Sequence, residues 1–172
     1  PEGVSNFWGF LGIRHALCCY NVVKGSPCGY ADFDFFELES AHRGNHYDAL
    51  TEIDFSRYDD REGMELVRPV GKRPMQFLSK IKDGDWLVFN NLTFRKRPEK
   101  ITLEWQASNS GGVLEMRRGS LQGEVMASCP VQSTNGLWSK QSFDVQKLKK
   151  KEKVYFVFKG TNESLSIKNF IF

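Results

Sequence analysis

Two carboxylates near the start of the chain are spaced so that they can act together. Asp32 and Asp34 alternate with apolar residues in a strand-like run, which places both carboxylates on one face of a strand. Paired carboxylates are the machinery of acid–base glycoside hydrolysis. No cleft-forming sequence accompanies them, so we interpret the pair as a solvated strand face and predict no catalytic site.

The cysteines and histidines do not have the spacing of a metal site. Four cysteines lack the paired spacing of zinc ligands, and at most one of the adjacent two can bridge Cys28. His42 and His46 share a face only in a helix, whereas the Gly44-Asn45 pair between them favours a turn. We therefore predict no metal centre here and no obligatory disulfide. The cysteines are Cys18, Cys19, Cys28 and Cys129.

A tryptophan on a predicted loop gives the strongest indication of binding chemistry. Trp138 closely follows Asn135-Gly136, a dipeptide typical of a tight turn. An indole held on such a loop can offer a flat apolar face to the C–H face of a sugar ring. The alternative is a half-buried tryptophan that pins the turn.

Strand-like segments separated by turn residues make up most of the chain. Ile101, Leu103 and Trp105 alternate with polar neighbours, which predicts a strand with one buried face and Trp105 in the core. Many short strands with regular turns predict an all-β fold, a β-sandwich jelly roll. The predicted strands cover residues 49–55, 86–89, 101–105, 113–116, 154–158 and 165–172.

The first part of the chain has a different organisation. The apolar runs 10–22 and 30–38 predict a β-hairpin, which cannot bury both of its faces alone. We interpret residues 1–38 as an N-terminal β-hairpin remnant of a second, upstream β-sandwich, residues 39–48 as a linker, and residues 49–172 as the jelly roll.

Charge and hydropathy exclude some partners. The net charge of +3 is too small to indicate a nucleic acid or a membrane surface as a partner. The two basic runs, 94–98 and 147–153, are predicted to be solvated loops. No apolar run approaches the length of a membrane-spanning helix.

Several motifs, taken in order, carry a family resemblance. From about Asp48 to Phe172 the chain resembles carbohydrate-binding module family 6, a jelly-roll family appended to plant-polysaccharide hydrolases. The order and spacing of the motifs carry this resemblance more than any single one does. The motifs are residues 62–66, the Gly84-Asp85-Trp86 triplet with the strand after it, and residues 110–112, 134–138, 158–160 and 170–172.

Residues 1–38 separately resemble the end of the concanavalin-like β-sandwich found in some glycoside hydrolases of family 43, through residues 12–14 and 29–36. Together the two resemblances imply a non-catalytic module of a secreted or periplasmic enzyme whose catalytic domain lies upstream. They imply a plant cell-wall polysaccharide as partner, of a xylan-like or arabinoxylan-like kind.

The family resemblance implies a sugar site at the loop end of the sandwich, where two aromatic walls clamp the sugar. Trp138 matches one wall, but the second wall falls on Lys80 and the ligand asparagine falls on Ser166. Glu65 lies near the expected acidic contact. Phe77 is a candidate replacement wall. With a single stacking face worth roughly 1 kcal/mol, we expect about millimolar binding.

The resemblance also suggests a structural calcium ion, which the sequence disfavours. The family holds the ion between an acidic residue of its first strand and an Asp of its last, and these positions fall near Ile53 and on Lys168. A shift of one residue brings Glu52 or Asp54 to the first position, but Lys168 remains. A cation beside a lysine is electrostatically unfavourable, so we expect no calcium and no other cofactor.

Two further alternatives remain open. Some members of the family bind sugar on a sheet face instead of the loop end, and the sequence does not indicate which faces are exposed here. Besides Phe77, Trp86 is the other candidate for replacement stacking at the loop-end site, although we predict it to be a core residue. A degenerate sandwich that binds no sugar, and that packs between domains through Phe33, Phe35 or Phe36, is the alternative function.

Overall fold

Two sheets of six strands each pack face to face in the computed structural model, which describes residues 46–69 and 76–172. The predicted all-β sandwich is therefore confirmed. The predicted N-terminal hairpin and most of the predicted linker lie outside the described residues. The strands are β1 (Tyr47–Asp48), β2 (Ile53–Asp54), β3 (Asp60–Glu62), β4 (Glu65–Val67), β5 (Phe77–Ser79), β6 (Trp86–Thr93), β7 (Lys100–Ala107), β8 (Val113–Arg118), β9 (Val125–Pro130), β10 (Ser139–Asp144), β11 (Lys151–Lys159) and β12 (Leu165–Ile171).

The strands alternate between the sheets in the manner of a jelly roll. Sheet A has the order β1-β6-β11-β8-β9, with β3 also paired to β6. Sheet B has the order β10-β7-β12-β5-β4, with β2 paired to β12. The β1–β6 pair is parallel and the other strand pairs are antiparallel. Successive strands that cross between the sheets bring loops from both sheets together at each end of the sandwich.

The core lies between the sheets and is rich in aromatic rings. The inward residues of β7 include Trp105, which is completely buried, so its predicted core position is confirmed. Phe55, Phe156 and Phe170 form mutual ring contacts with centroids 4.8 to 5.1 Å apart. Burying each such side chain contributes roughly 1.5–3 kcal/mol, so this cluster holds the two sheets together.

Trp86 is not a core residue, contrary to the sequence prediction. Leu87 and Phe89 are completely buried, and the alternation of β6 therefore turns Trp86 to the outer face of sheet A. There its ring contacts Tyr155 with centroids 5.7 Å apart. The error arises because β6 carries apolar residues on both faces, which hides its period of two.

The edges of the predicted sandwich also need correction. Tyr47 and Asp48, which we assigned to the linker, form β1 beside Leu92 and Thr93. The predicted strand 49–55 is reduced to β2, which is followed by a 3₁₀ turn, Phe55–Arg57. Strands β3, β4, β5, β9 and β10 were missed, because they are short or largely polar and their apolar periodicity is weak.

A β-bulge interrupts β12 and shifts its alternation. The pairing with β7 changes register between Ile167 and Asn169, so Lys168 is the extra residue. Leu165 and Ile167 point into the core before the bulge, and Phe170 does so after it. The strand thus keeps an apolar side over its whole length.

No helix in the described part of the chain has the length and apolar character needed to cross a membrane.

Candidate functional site

The four residues predicted for the sugar site converge at one end of sheet B. Ser166 on β12 pairs with Gln106 on β7, and Ser139 at the start of β10 pairs with Trp105. The antiparallel register therefore puts Trp138 next to Gln106, on the outer face of the sheet. Trp138 and Ser166 thus lie on one transverse row.

The same row continues on the other side of β12. Leu78 of β5 pairs with Ile167, which puts Ser79 beside Ser166, and Ser79 pairs with Glu65 of β4. Lys80 directly follows Ser79. Strands β10, β7, β12, β5 and β4 thus bring residues from distant parts of the sequence to one rim. We call Trp138, Phe77, Glu65, Lys80 and Ser166 the loop-end site.

The turn before Trp138 has the predicted form. Asn135 and Gly136 have φ values of 53° and 72°, and the N–H of Leu137 donates to the carbonyl of Thr134 at 3.0 Å. Positive φ at both central positions is the signature of a type I′ turn. The Thr134 hydroxyl accepts a bond from the N–H of Ala107 at 2.9 Å, so the turn is fixed to β7.

Trp138 is half-buried and reaches over the sheet to Phe77. Their ring centroids are 5.3 Å apart with planes at 71°. A sugar clamped between two rings needs roughly 7–8 Å between them, twice the contact distance of about 3.5–4 Å. The edge-on Phe77 therefore supports Trp138 and leaves no space for a sugar between the two rings. The ammonium of Lys168 lies over the indole, 5.9 Å from the ring centroid, and the indole remains partly exposed.

Lys80 and Glu65 form an ion pair on the rim. Lys80 Nζ lies 2.7 Å from Glu65 Oε2, and both side chains are more than half exposed. The hydrogen bond to Glu65 raises the pKa of Lys80 above its usual value. Lys80 has a φ of 52°, the left-handed region that L residues rarely adopt. The pair offers both a donor and an acceptor to sugar hydroxyls.

Asp85 of the Gly-Asp-Trp triplet fixes the loops that carry this pair. Its Oδ2 accepts the N–H of Met64 at 3.0 Å and the N–H of Lys82 at 2.9 Å. Met64 directly precedes Glu65, and Lys82 lies two residues after Lys80. One carboxylate therefore holds both sides of the ion pair in place. Sequence reasoning found the triplet but missed this positioning role.

Ser166 has a free hydroxyl on the outer face of β12. Its side chain makes no hydrogen bond with any other described residue, and it is partly exposed. A hydroxyl donates and accepts through one oxygen on a short side chain, whereas an amide holds its donor and acceptor on separate atoms in fixed geometry. This position can therefore contribute one polar contact to a bound sugar.

A row of alternating charges lies next to the loop-end site. Lys168 Nζ lies 2.8 Å from Glu104 Oε1, and Asn169 Nδ2 donates to Glu104 Oε2 at 2.8 Å. Lys140 lies 2.9 Å from Glu52 and 3.9 Å from Glu104. Burial opposes ionisation of Glu104, but the bonds from Lys168 and Asn169 dominate and lower its pKa below the usual value.

These residues do not fit a calcium ion. Both oxygens of Glu104 are bound by donors, and Glu52, which shares Lys140 with Glu104, is bound by that lysine. Calcium needs six to eight oxygen ligands. Within residues 46–69 and 76–172, no group of three or more His, Cys, Asp or Glu side chains is arranged to hold a metal.

The outer face of sheet A carries a second aromatic surface. The Trp86 Nε1–H donates to Glu62 Oε2 at 2.7 Å, which fixes the indole next to Tyr155. The ammonium of Lys153 lies 5.1 Å from the centroid of the Tyr155 ring. We call Trp86, Tyr155 and Glu62 the sheet-face platform.

The two six-stranded sheets define the class of jelly-roll β-sandwich domains. The family model described as carbohydrate binding module (family 6) matches residues 56–172. The chain therefore belongs to carbohydrate-binding module family 6, and the resemblance inferred from its motifs is confirmed.

Solved structures agree on the fold. A family 6 module from Clostridium cellulolyticum, in complex with xylose, superposes with a TM-score of 0.65 at 24% identity over 73% of this chain and 98% of its own. A β-1,3-glucan-binding module from Bacillus halodurans gives 0.67 at 23% identity, over 74% and 98%.

A relationship to a larger enzyme is also found. The chain is 32% identical over 95 residues, 54% of its length, to the arabinoxylan arabinofuranohydrolase of Bacillus subtilis (strain 168), of which the match covers 18%. The crystal structure of a glycoside hydrolase family 43 arabinoxylan arabinofuranohydrolase from Bacillus subtilis, in complex with cellotetraose, gives a TM-score of 0.67 at 21% identity, over 74% of this chain and 28% of that one.

Proposed function

We propose that the chain is a weak sugar-binding module that holds xylan-like or arabinoxylan-like chains of plant cell walls at its loop-end site. One observation carries this proposal: Trp138, Ser166, Glu65 and Lys80 lie along one rim of sheet B although they are distant in sequence. A partly exposed indole on the same rim as a donor and an acceptor is the minimum set for stacking and orienting a sugar ring.

The choice of pentose polymers rests on relatives. The enzyme from Bacillus subtilis is named for arabinoxylan, and the module from Clostridium cellulolyticum was solved with xylose. A rim with one stacking face suits the end of a chain or a short branch more than a long stretch of crystalline polymer. The expected affinity is about millimolar, because one ring contributes roughly 1 kcal/mol and each sugar hydrogen bond largely replaces one to water.

We further propose that the module serves a secreted or periplasmic glycoside hydrolase of the family 43 kind. The match covers only about a fifth of the Bacillus subtilis enzyme, so the catalytic partner is part of this proposal. Bound to its polymer, such a module raises the local concentration of the enzyme beside its substrate. The chain alone is expected to release no product from an aryl-xyloside or an aryl-arabinoside.

The sheet-face platform is a second candidate location for the sugar. Trp86 and Tyr155 lie side by side and outward, and the hydrogen bond from Trp86 to Glu62 keeps the indole oriented. Such a surface suits an extended chain that lies along the sheet, whereas the rim suits a chain end. Separate substitutions of Trp86 and Trp138 therefore distinguish the two locations.

The alternative function is a structural sandwich that binds no sugar and packs between domains. The phenylalanines that motivated it, Phe33, Phe35 and Phe36, lie outside the described residues. The replacement of the second clamp wall by Lys80 favours this alternative. The partly exposed Trp138 favours sugar binding.

The experiment is an isothermal titration of the whole chain with xylo-, arabino- and cello-oligosaccharides. Saturable heat that disappears in Trp138→Ala supports the loop-end site. The matched control is Leu137→Ala, because Leu137 lies on the same turn and is 70% exposed. It should leave the heat unchanged.

Loss of the heat in Trp86→Ala, and not in Trp138→Ala, would move the site to the sheet face. No heat with any of the three sugar series would favour the structural alternative. A melting curve for each variant separates lost binding from lost folding.

A further inference from the structure

Two basic runs that are distant in sequence meet at the end of the sandwich opposite to the loop-end site. Residues 94–97 follow β6, and residues 147–150 precede β11. The N–H of Phe94 donates to the carbonyl of Lys150 at 2.9 Å, and Thr93 pairs with Lys151. Since β7, β10 and β12 have their other ends at the Trp138 rim, this basic end and the loop-end site lie at opposite ends of the strands.

Buried anchors fix both basic runs. Phe94 is only 3% exposed and contacts the Phe172 ring with centroids 5.0 Å apart. Leu148 is likewise 3% exposed. The buried Glu152 accepts the N–H of Lys149 at 2.7 Å. The loops are therefore held in one arrangement with their charges turned outward, so binding requires little further ordering.

The cations at this end are almost entirely unpaired. Arg95 lies 3.3 Å from Asp48, and it is the single member of the two runs with an ion pair among the described residues. The nearby Glu152 is already bound to Arg118. Like charges held together without counter-ions create a positive potential that an anionic partner can neutralise. The exposed cations are Arg95, Lys96, Arg97, Lys147, Lys149, Lys150 and Lys151.

A depression of about 250 Å³ lies within this surface, lined by Phe94, Arg95, Lys96, Arg97 and Lys150. Its volume falls just below the range of roughly 300–1,000 Å³ typical of small-molecule sites, which suits one charged group of a larger partner. An arginine here can hold a carboxylate through two parallel N–H bonds.

The surface lacks the features of a nucleic-acid site. Proteins that bind single strands expose aromatic rings on which bases stack. The aromatic ring here, Phe94, is buried, and within the described residues the large hydrophobic side chain that is exposed is Leu137, at the other end. The acidic polymer that matches a sugar-binding family is a polysaccharide whose sugar units carry carboxylates.

We propose that the basic end of the sandwich is a second, ionic docking surface for the carboxylates of uronate-bearing polysaccharides. It acts independently of the loop-end site and does not require Trp138. Binding there is electrostatic and therefore sensitive to salt, whereas stacking on Trp138 depends on salt only weakly. A polymer that carries both neutral and acidic units can contact both ends.

The test measures binding of the whole chain to polygalacturonate, to its fully methyl-esterified form and to an RNA homopolymer. Binding is measured at about 0.1 M and about 1 M salt, between which the Debye length falls from about 10 Å to about 3 Å. The test variant combines Lys96→Gln, Arg97→Gln and Lys150→Gln. The matched control removes one arginine and two lysines elsewhere: Arg68→Gln, Lys82→Gln and Lys159→Gln.

Support requires three results. Polygalacturonate binds at low salt and the esterified polymer does not; the test variant loses about tenfold or more in affinity while the control loses little; and Trp138→Ala binds like the parent. Equal binding of the esterified polymer, or an equal loss in the control, would overturn the proposal. Tighter binding of the RNA homopolymer would also overturn it and assign the surface to nucleic acid. Melting curves verify that all variants fold.

Discussion

Lys80 stands at the position where the family resemblance implies an aromatic wall of the proposed sugar site. Its backbone already has a φ of 52°, so the strain of this conformation is present whatever side chain it carries. Its ammonium is held by Glu65 at 2.7 Å on the exposed rim, and such pairs contribute little to stability. The position is therefore open to replacement.

We predict that Lys80→Tyr strengthens binding of xylo-oligosaccharides. A second aromatic face is worth about 0.5–1.5 kcal/mol, which corresponds to an affinity about two- to twelvefold higher. Isothermal titration measures the change. The matched control is Lys82→Tyr, since Lys82 is as exposed as Lys80 but pairs with Glu163 instead. A weaker or unchanged affinity in Lys80→Tyr would contradict a clamp geometry at this rim.

At the residue scale, local signals could be predicted and long-range contacts could not. The Asn135-Gly136 turn follows from two adjacent residues that tolerate positive φ. The contact of Phe77 with Trp138 depends on the register of four strands, which no local pattern encodes. The sequence could name Phe77 as a candidate wall, but only the geometry shows that it meets Trp138 edge-on.

The charge row on β7, β10 and β12 acts at the scale of elements. Glu104 of β7 accepts hydrogen bonds from Lys168 and Asn169 of β12 and lies 3.9 Å from Lys140 of β10. Lys140 extends the row to Glu52, beside β2. Breaking a partly buried charged hydrogen bond costs about 1–3 kcal/mol. The ion pairs and hydrogen bonds of this row therefore hold neighbouring strands of sheet B together, at the place where the family resemblance suggests a calcium ion.

We predict that the stabilising effect of Glu104 depends on pH. Its folded-state pKa lies below the usual 4.5, so its contribution is fully present above about pH 5 and disappears as pH falls through the folded value. Glu104→Gln should lower the free energy of unfolding at pH 7 by about 1–3 kcal/mol and by less at pH 3, which is below the usual pKa of the carboxyl. Urea unfolding at both values measures this.

The control for this prediction is Asp144→Asn, a carboxylate that is 92% exposed and has a distant partner at 3.9 Å. It should change stability little at either pH. A loss in Glu104→Gln that is the same at both pH values would show that the role of Glu104 is packing and not charge.

Elements with clear alternation could be predicted from the sequence. Strand β7 is an example, with four inward residues that are all buried. Strand β10 alternates polar residues with half-buried ones, so its place at the edge of sheet B comes from pairing with β7 and not from its own apolar periodicity. Strand β6 could also be predicted as a strand, but the prediction wrongly placed Trp86 on its inward face.

For the whole molecule we predict stability without a metal ion. Adding a chelator should shift the melting temperature by less than about 1 °C. An ion bound at one hundred times its dissociation constant would contribute about 2.7 kcal/mol, worth several degrees. A drop on chelation that calcium restores and magnesium does not would contradict this expectation. The control is the same melting measurement in excess calcium, which should leave the melting temperature unchanged.

The whole molecule has two separate binding ends if both proposals hold. The loop-end site binds a sugar ring by stacking, and the opposite basic end binds the carboxylates of a polymer by charge. The strands between them form one rigid core, so each end can be altered by substitution without changing the other. On a polymer with both neutral and acidic units, the losses in binding free energy caused by Trp138→Ala and by the triple variant at Lys96, Arg97 and Lys150 should therefore add.

The bulge at Lys168 has a consequence for how the chain can vary. The bulge shifts the side-chain alternation of β12 by one residue. Odd-numbered residues face the core before it, and even-numbered residues face the core after it. Deleting Lys168 would place Ile167 and Asn169 at consecutive positions opposite Trp105 and Glu104, so both segments would keep their present faces and only the bulge would be lost. Deleting any other residue of β12 would instead absorb the bulge and turn the residues between the deletion and Lys168 to the wrong side of the sheet. The strand can therefore shorten at one position and not at the neighbouring ones.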